Sequence, residues 1–216
     1  MTALTYNADY DRVSKSNLKK ALINRQYYTA IEGSIKKSKD GSIIFLEVPS
    51  ENYLEANITS IKSLLNKKYK GTYISFQRPF KNIRSLFEQN DIDMNDVLIV
   101  DAASALCGEM QEDNPRCVSV SINAKIEEIA KATYQSLLKL DCENKFVYVD
   151  SLSTLALHEP LSDSLRFPRS LIDTIRQNHV ENVVFIFNIA IDISSKRYAE
   201  NILTYADSHI HLGRCT

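Results

Sequence analysis

The sequence predicts a three-layer α/β fold in which helices cover both faces of a mostly parallel central sheet. Seven short apolar segments are nearly continuous rather than alternating, which is typical of strands that are buried on both faces. Helical patterns separate most of these segments, and such alternation indicates βαβ units with right-handed crossovers. The predicted strands are residues 42–48, 72–76, 97–101, 117–120, 146–150, 183–187 and 209–212.

Apolar periodicity predicts the helices between these strands. Residues 13–37 favour one or two helices before the first strand. A stripe over residues 54–65 predicts the next helix, which we expect the Asn52 side chain to cap while Glu55 reaches back to the same turn. The further predicted helices are 83–87 opened by Pro79, 122–138, 171–175 with Pro168 at its start or at a kink, and 202–206.

Composition indicates one globular domain of 216 residues, with residues 1–40 as an N-terminal helical extension and 41–213 as the core. Hydrophobic residues make up 44% of the chain and charged residues 25%, as in ordinary globular proteins. The formal net charge of −1 argues against nucleic acid or a membrane as the partner of the whole surface. Neither an export signal nor a membrane-length apolar run is visible, so we expect a cytoplasmic protein.

The cysteines and histidines do not predict a metal site. No CxxC pair occurs, so we expect reduced thiols, and nothing in the sequence supports a disulfide between Cys107 and Cys117. His209 and His211 alternate on a predicted strand and therefore face the same side, but the sequence reveals no third ligand. The four cysteines are Cys107, Cys117, Cys142 and Cys215.

Three segments carry patterns that can be compared with known families. Residues 45–65 read FLEVPSENYLEANITSIKSLL, residues 71–93 read GTYISFQRPFKNIRSLFEQNDID, and residues 145–155 read KFVYVDSLSTL. In this order and spacing they resemble the phosphate-loop, second-strand and Walker B regions of RecA/KaiC-like ATPases. The strand SHIHL at 208–212 matches the place where those domains end. The resemblance is greatest to archaeal KaiC-like proteins of unknown function without a Walker A motif, and it implies a RecA-like core.

The resemblance places a phosphate-binding loop at residues 48–55, where this chain reads VPSENYLE. A working loop needs glycines that let backbone N–H groups surround the phosphates, a lysine, and a Ser or Thr on Mg²⁺. This loop has no glycine, no lysine and two glutamates, and each carboxylate would repel a phosphate about 4 Å away by about 1–4 kcal/mol. We therefore interpret these positions as vestigial: Ser50, Glu51, Asn52 and Tyr53.

The resemblance also implies two catalytic glutamates after the second strand, but those positions hold Gln77 and Arg78. A glutamine amide cannot act as a general base near neutral pH, so the base is missing as well. Two alternatives stay open for Arg78. It either pairs with an acid such as Glu51 or Asp150 at the same edge of the sheet, or it lies in a solvated loop.

Asp150 is the family position that is retained, at the end of the Walker B strand, where the resemblance implies a role in holding Mg²⁺. Without phosphates to share the ion, a single carboxylate is a poor Mg²⁺ site. We instead expect Asp150, Ser151 and Ser153 to cap the turn that follows. No catalytic residue, cofactor or metal is predicted.

Three functional hypotheses follow. The leading one is a non-catalytic pseudo-ATPase that binds other proteins or further copies of this chain in a regulatory or scaffolding role, with the partner unidentified. The second is a nucleotide-responsive switch or atypical ATPase that uses the remnant site around Asp150, Gln77 and Arg78. The third is a nucleic-acid binder, which the near-neutral net charge disfavours.

Overall fold

The central sheet has seven strands in the order β4-β3-β2-β5-β6-β1-β7, and every pair is parallel. It is seen in a computed structural model that describes residues 25–194 and 196–213. All seven predicted strands are present, so the predicted α/β class is confirmed. The strands are β1 Ile43–Val48, β2 Lys70–Ser75, β3 Val97–Asp101, β4 Cys117–Val118, β5 Lys145–Asp150, β6 Val183–Ala190 and β7 Ser208–His211.

Helices cover both faces of the sheet and complete the three layers. Helix α1 covers residues 25–37, and the part of its prediction at 13–24 lies outside the described residues. The apolar sides of α1, α2 and α3 pack on one face, and those of α4 to α8 pack on the other. The remaining helices are α2 Tyr53–Asn66, α3 Phe80–Gln89, α4 Ala102–Leu106, α5 Ile126–Leu138, α6 Leu152–His158, α7 Leu161–Gln177 and α8 Lys196–Leu203.

Several helix boundaries differ from the predictions, including that of the last helix, which was predicted at 202–206 but spans Lys196–Leu203. Helix α5 begins at Ile126 rather than at Ile122, which is exposed in the preceding loop. Helix α7 begins at Leu161, so Pro168 lies inside it rather than at its start. A proline cannot donate to the carbonyl four residues earlier, which is that of Ser164. The Tyr198 hydroxyl lies 3.5 Å from this carbonyl oxygen and 3.1 Å from that of Leu152, so its single proton is shared between the two acceptors.

Glycine is required at one position in the middle of the sheet. Gly71 lies in β2, and a Cβ atom added there would come within 2.3 Å of the Phe146 carbonyl oxygen in β5. The neighbouring backbone of β5 is held by its hydrogen bonds in the sheet, so it cannot move aside at low energetic cost.

Among the described residues, no helix is both long and apolar enough to cross a membrane.

We predict that Gly71→Ala destabilises the protein by about 1–3 kcal/mol or more, because the added methyl group overpacks the β2–β5 interface. Urea denaturation measures this loss. The control is Gly33→Ala in α1, where an added Cβ meets nothing within 4 Å. Alanine is the better helix former, so this change should be neutral or slightly stabilising. Equal effects of the two changes would show that the contact with Phe146 does not constrain position 71.

Candidate functional site

The vestigial nucleotide-site positions meet at the carboxyl edge of the sheet. Strands β2 and β5 are neighbours, and Ser75 at the end of β2 pairs with Asp150 at the end of β5. Strand β1 lies on the far side of β6, where Val48 pairs with Ala190. Parallel strands present their carboxyl ends at one edge, and ligands of such sheets bind there. This edge therefore carries the eight nucleotide-site positions identified from the sequence, which are Ser50, Glu51, Asn52, Tyr53, Gln77, Arg78, Asp150 and Ser151.

The loop after β1 is a short turn that leads directly into α2. Ser50, Glu51 and Asn52 form one 3₁₀ turn, and Tyr53 is the first residue of the helix. The Ser50 backbone N–H donates to Asp192 Oδ1 at 2.9 Å, and the Ser50 hydroxyl donates to Asp192 Oδ2. A carboxylate thus accepts a backbone N–H of the loop that the sequence resemblance placed at the phosphate-binding position.

The predicted cap at Asn52 is wrong. Its side chain makes no capping hydrogen bond, and its backbone has φ −111° and ψ 5° instead of the extended geometry of a capping residue. The backbone N–H of Asn52 already donates to the Pro49 carbonyl at 3.0 Å within the 3₁₀ turn. The 3₁₀ turn gives the backbone a different path into α2 from the one that the capping pattern predicts. The sequence pattern did not reveal this turn.

Asp150 is completely buried. Its Oδ2 atom accepts a hydrogen bond from the Tyr73 hydroxyl and lies 3.9 Å from Arg78 Nη1. Of the two alternatives for Arg78, the structure therefore favours pairing with Asp150, and the same nitrogen also donates to Gln77 Oε1 at 2.8 Å. Asp150 does not cap the following turn, because its carboxylate points into the molecule.

A buried polar network extends from Asp150 toward β6. Asn57 Nδ2 lies 3.4 Å from the Tyr73 hydroxyl, and the Tyr148 hydroxyl donates to Asn57 Oδ1 at 2.7 Å. Asn188 Nδ2 donates to that same Asn57 oxygen and to the Tyr148 hydroxyl at 3.2 Å. The rings of Tyr73 and Tyr148 stack with their centroids 5.3 Å apart. The network thus connects α2, β2, β5 and β6 beneath the vestigial site.

Burial keeps the tyrosine hydroxyls of this site protonated. Desolvation raises the pKa of Tyr53 and of Tyr73 well above the ordinary value, and the negative charge of Asp150 raises both further. The same two causes raise the pKa of Tyr148. The Tyr73 hydroxyl therefore donates to Asp150, and the Tyr148 hydroxyl donates to Asn57. The Tyr53 hydroxyl and Asp150 Oδ1 are both buried without a hydrogen-bond partner among the described residues.

The serines after β5 do two different things. Ser151 caps α6 as predicted, since its hydroxyl oxygen accepts from the Thr154 backbone N–H at 3.1 Å. Ser153 does not cap that turn. Its hydroxyl oxygen accepts from the Ala190 backbone N–H at 2.8 Å and lies 2.7 Å from the Ser194 hydroxyl. This side chain joins α6 to the end of β6, a contact between distant parts of the chain.

A cavity near this edge lies beside the vestigial site, after β2 and β3. Its volume is about 560 Å³, and its lining includes Phe80, Arg84 and Asp101. Asp101 is buried and satisfied, because its carboxylate accepts from the backbone N–H groups of Phe80 at 2.9 Å and Ser104 at 3.0 Å. Arg84 pairs with Glu112 of the loop that follows α4. The charged groups of Asp101, Arg84 and Glu112 are thus engaged by neighbouring groups.

The thiols are free where the structure describes them. Cys107, Cys117 and Cys142 form no disulfide, as expected for the first two. Burial raises the pKa of the Cys117 thiol to about 12, which makes it a poor nucleophile. The sequence revealed no third group beside His209 and His211, but in the structure Glu47 of β1 contacts both rings.

We predict that Tyr73→Phe destabilises the protein by about 1.5–3 kcal/mol, because it removes a hydrogen bond to a buried carboxylate and leaves that group poorly solvated. Denaturation in urea at neutral pH measures the change. Tyr205→Phe, at an exposed position, is the matched control and should have little effect. If the two substitutions cost the same, the Tyr73 hydroxyl does not hold Asp150.

Comparison with known proteins agrees with this architecture. The sequence matches no protein-family model and no curated protein. Three archaeal structures are similar at low sequence identity. The uncharacterized protein PH0321 of Pyrococcus horikoshii, solved in complex with an unknown peptide, is 14% identical with a TM-score of 0.63, over 83% of this chain and 80% of that one.

The other two similar structures give the same fold. The KaiC-like protein PH0186 of Pyrococcus horikoshii OT3 is 13% identical with a TM-score of 0.54, over 79% of this chain and 71% of that one. The flagellar accessory protein FlaH of Methanocaldococcus jannaschii is 15% identical with a TM-score of 0.50, over 80% and 71%. The chain therefore has the α/β fold of archaeal RecA/KaiC-like proteins, as the sequence resemblance implied.

Proposed function

We propose that this protein is a non-catalytic RecA/KaiC-like domain, a pseudo-ATPase of the cytoplasm that acts by binding another protein in a regulatory or scaffolding role. The observation that carries the proposal is the position of Asp150. The carboxylate at the Walker B position has no exposed surface and is engaged by Tyr73. An ion held through water by an aspartate needs that carboxylate at the surface of the site.

The residues at this edge do not fit Mg·ATP. The loop after β1 offers no glycine-lined cradle, and its Ser50 N–H already donates to the Asp192 carboxylate. The exposed carboxylates of Glu51 and Asp192 lie at the edge where a nucleotide would place its phosphates. Carboxylate and phosphate are both negative, so they would repel each other there. Gln77, at the position of the catalytic base, cannot accept a proton from water.

Exposed apolar side chains near the same edge favour a protein partner. Leu54 lies in the first turn of α2, and Ile193 lies in the segment that follows β6. Leu157 and Leu161 flank the turn between α6 and α7. Ser153 contacts Ser194, so the helix that carries Leu157 is joined to the segment that carries Ile193. Neighbouring exposed apolar groups are typical of protein interaction surfaces.

The similar structure of PH0321 is consistent with a protein or peptide partner. That protein was solved in complex with an unknown peptide, and it matches 83% of this chain. Its identity of 14% supports the common fold and not a common ligand. It shows that a protein of this architecture binds a peptide, which is the class of partner that we propose here.

We predict no ATP hydrolysis above the buffer rate and no change in melting temperature with millimolar Mg·ATP. A ligand stabilises the folded state only in proportion to its occupancy of that state, and the loop after β1 has neither the glycines nor the lysine that hold phosphate. A phosphate-release assay and thermal melts measure the two quantities. A rise of several degrees, or turnover that Asp150→Asn abolishes, would instead support the nucleotide-responsive switch.

We predict that Leu157→Asp removes binding of the protein partner, because it places a charge in the apolar surface near the carboxyl edge. Leu138→Asp is the matched control. Leu138 is also exposed, but it ends α5, which leads into the start of β5 at the opposite edge of the sheet.

The measurement is quantitative affinity purification from the native host with the wild type and both variants. A protein that co-purifies with the wild type and with Leu138→Asp, but not with Leu157→Asp, is the expected result. Equal recovery with all three would contradict the proposed surface. Salt-dependent recovery of DNA or RNA in place of protein would favour the nucleic-acid hypothesis.

A further inference from the structure

We propose that Glu47, His209 and His211 form a binding site for a divalent transition metal ion, with Zn²⁺ as the ion that fits best. The three residues come from β1 and β7, at the edge of the sheet. Their ligand atoms lie within 4.8 Å of one another. The site is independent of the proposed function, because it shares no residue with the vestigial nucleotide site.

The register of the two strands brings the side chains together. Glu47 pairs with His211, and His209 lies two residues earlier on the same side of β7. Glu47 Oε2 is 2.9 Å from His209 Nε2 and 3.0 Å from His211 Nδ1. Ligands about 2.0–2.2 Å from a tetrahedral Zn²⁺ lie roughly 3.3 Å from one another. The observed separations from the carboxylate oxygen need to open by only a few tenths of an ångström.

The backbone beneath the site is held by the sheet. Strand β1 lies between β6 and β7, and the Leu212 backbone N–H donates to the Glu47 carbonyl at 2.8 Å. Glu47 and His211 therefore cannot separate unless a sheet ladder breaks. Three ligands on adjacent rigid strands lose little conformational freedom when an ion binds, and this favours metal affinity.

Exposure differs across the site in the way that an open metal centre requires. The Glu47 side chain is 11% exposed, whereas those of His209 and His211 are 39% and 54% exposed. The carboxylate thus forms the floor and the two imidazoles form the accessible rim. An ion held by these three groups would keep one coordination position for water or another ligand, which is the arrangement of zinc sites with three protein ligands.

The ligand set also selects the kind of ion. Two imidazole nitrogens and one carboxylate oxygen suit Zn²⁺ and neighbouring first-row metals, whereas Mg²⁺ and Ca²⁺ prefer oxygen ligands alone. The single carboxylate contributes one negative charge toward the two positive charges of the ion.

The alternative is that the two rings only donate hydrogen bonds to the Glu47 carboxylate and that no ion binds. The experiment must therefore distinguish a metal site from a hydrogen-bonded cluster.

The test uses the full chain after treatment with a chelator. Zn²⁺ is added in calorimetry and in thermal melts, and Co²⁺ serves as a spectroscopic probe because its visible absorption reports nitrogen ligands in a low-coordinate site. At about 100 times its dissociation constant, Zn²⁺ should raise the melting temperature by about 5–10 °C. His209→Asn and His211→Asn should each weaken Zn²⁺ binding at least about tenfold and remove the Co²⁺ absorption.

His158→Asn is the matched control, because His158 is an exposed histidine at the end of α6 outside the cluster. It should bind Zn²⁺ and Co²⁺ like the wild type. Glu47→Gln keeps an oxygen at the floor but removes the charge, and it should also weaken binding. Circular dichroism without metal identifies any variant that fails to fold. The metal-binding results of the folded variants then test the proposal.

Three results would overturn the proposal. The first is a wild type whose melting temperature does not respond to Zn²⁺ and which gives no Co²⁺ absorption. In that case the three residues form only a hydrogen-bonded cluster. The second is binding that survives unchanged in both histidine variants. The third is binding that Cys107→Ser removes while His209→Asn does not, which would assign the ion to exposed thiol groups.

Discussion

The buried carboxylate of Asp150 is the constraint on which the carboxyl edge of this structure depends. A charge without access to water destabilises a fold unless polar groups surround it. Here Tyr73 donates to one carboxylate oxygen, and Arg78 lies 3.9 Å from that same oxygen. The Tyr73 hydroxyl can reach this oxygen only if β2 and β5 keep their observed register. The hydrogen bond between Tyr73 and Asp150 and the register of β2 and β5 therefore depend on each other.

The rest of the network follows from the same constraint. Asn57 contacts Tyr73 and Tyr148 and thereby fixes α2 above the sheet. Because α2 begins immediately after the vestigial loop, its position also fixes that loop. In a nucleotide-binding protein the corresponding carboxylate serves an ion outside the core. In this chain the Asp150 carboxylate is part of the core. A substitution that exposed it to a ligand would therefore also remove its hydrogen-bond partners.

Sequence reasoning predicted the sheet well because its signals are local. Each strand is a short apolar run that is recognisable without its neighbours, and Gln77 and Arg78 could be identified from their place after a strand. One missed contact, the turn that displaces the Asn52 cap, is local, but the others join distant parts of the chain. Ser50 and Asp192 are 142 residues apart, and Glu47 is 162 residues from His209. No pattern in one sequence predicts that such residues meet.

The alternation of side chains along the strands explains how the same end of the sheet holds two unrelated polar clusters. Leu46 and Val48 face α1 and α2, on the side of Tyr73 and Tyr148, whereas Phe45 faces the layer of α4 to α8. Successive residues of a strand point to opposite faces, so Glu47 points away from the Asp150 network although it directly precedes Val48. The sheet separates the two clusters. A change of charge at Glu47 can therefore alter the proposed metal site while the partners of Asp150 stay in place, and the two parts of this edge can be tested independently.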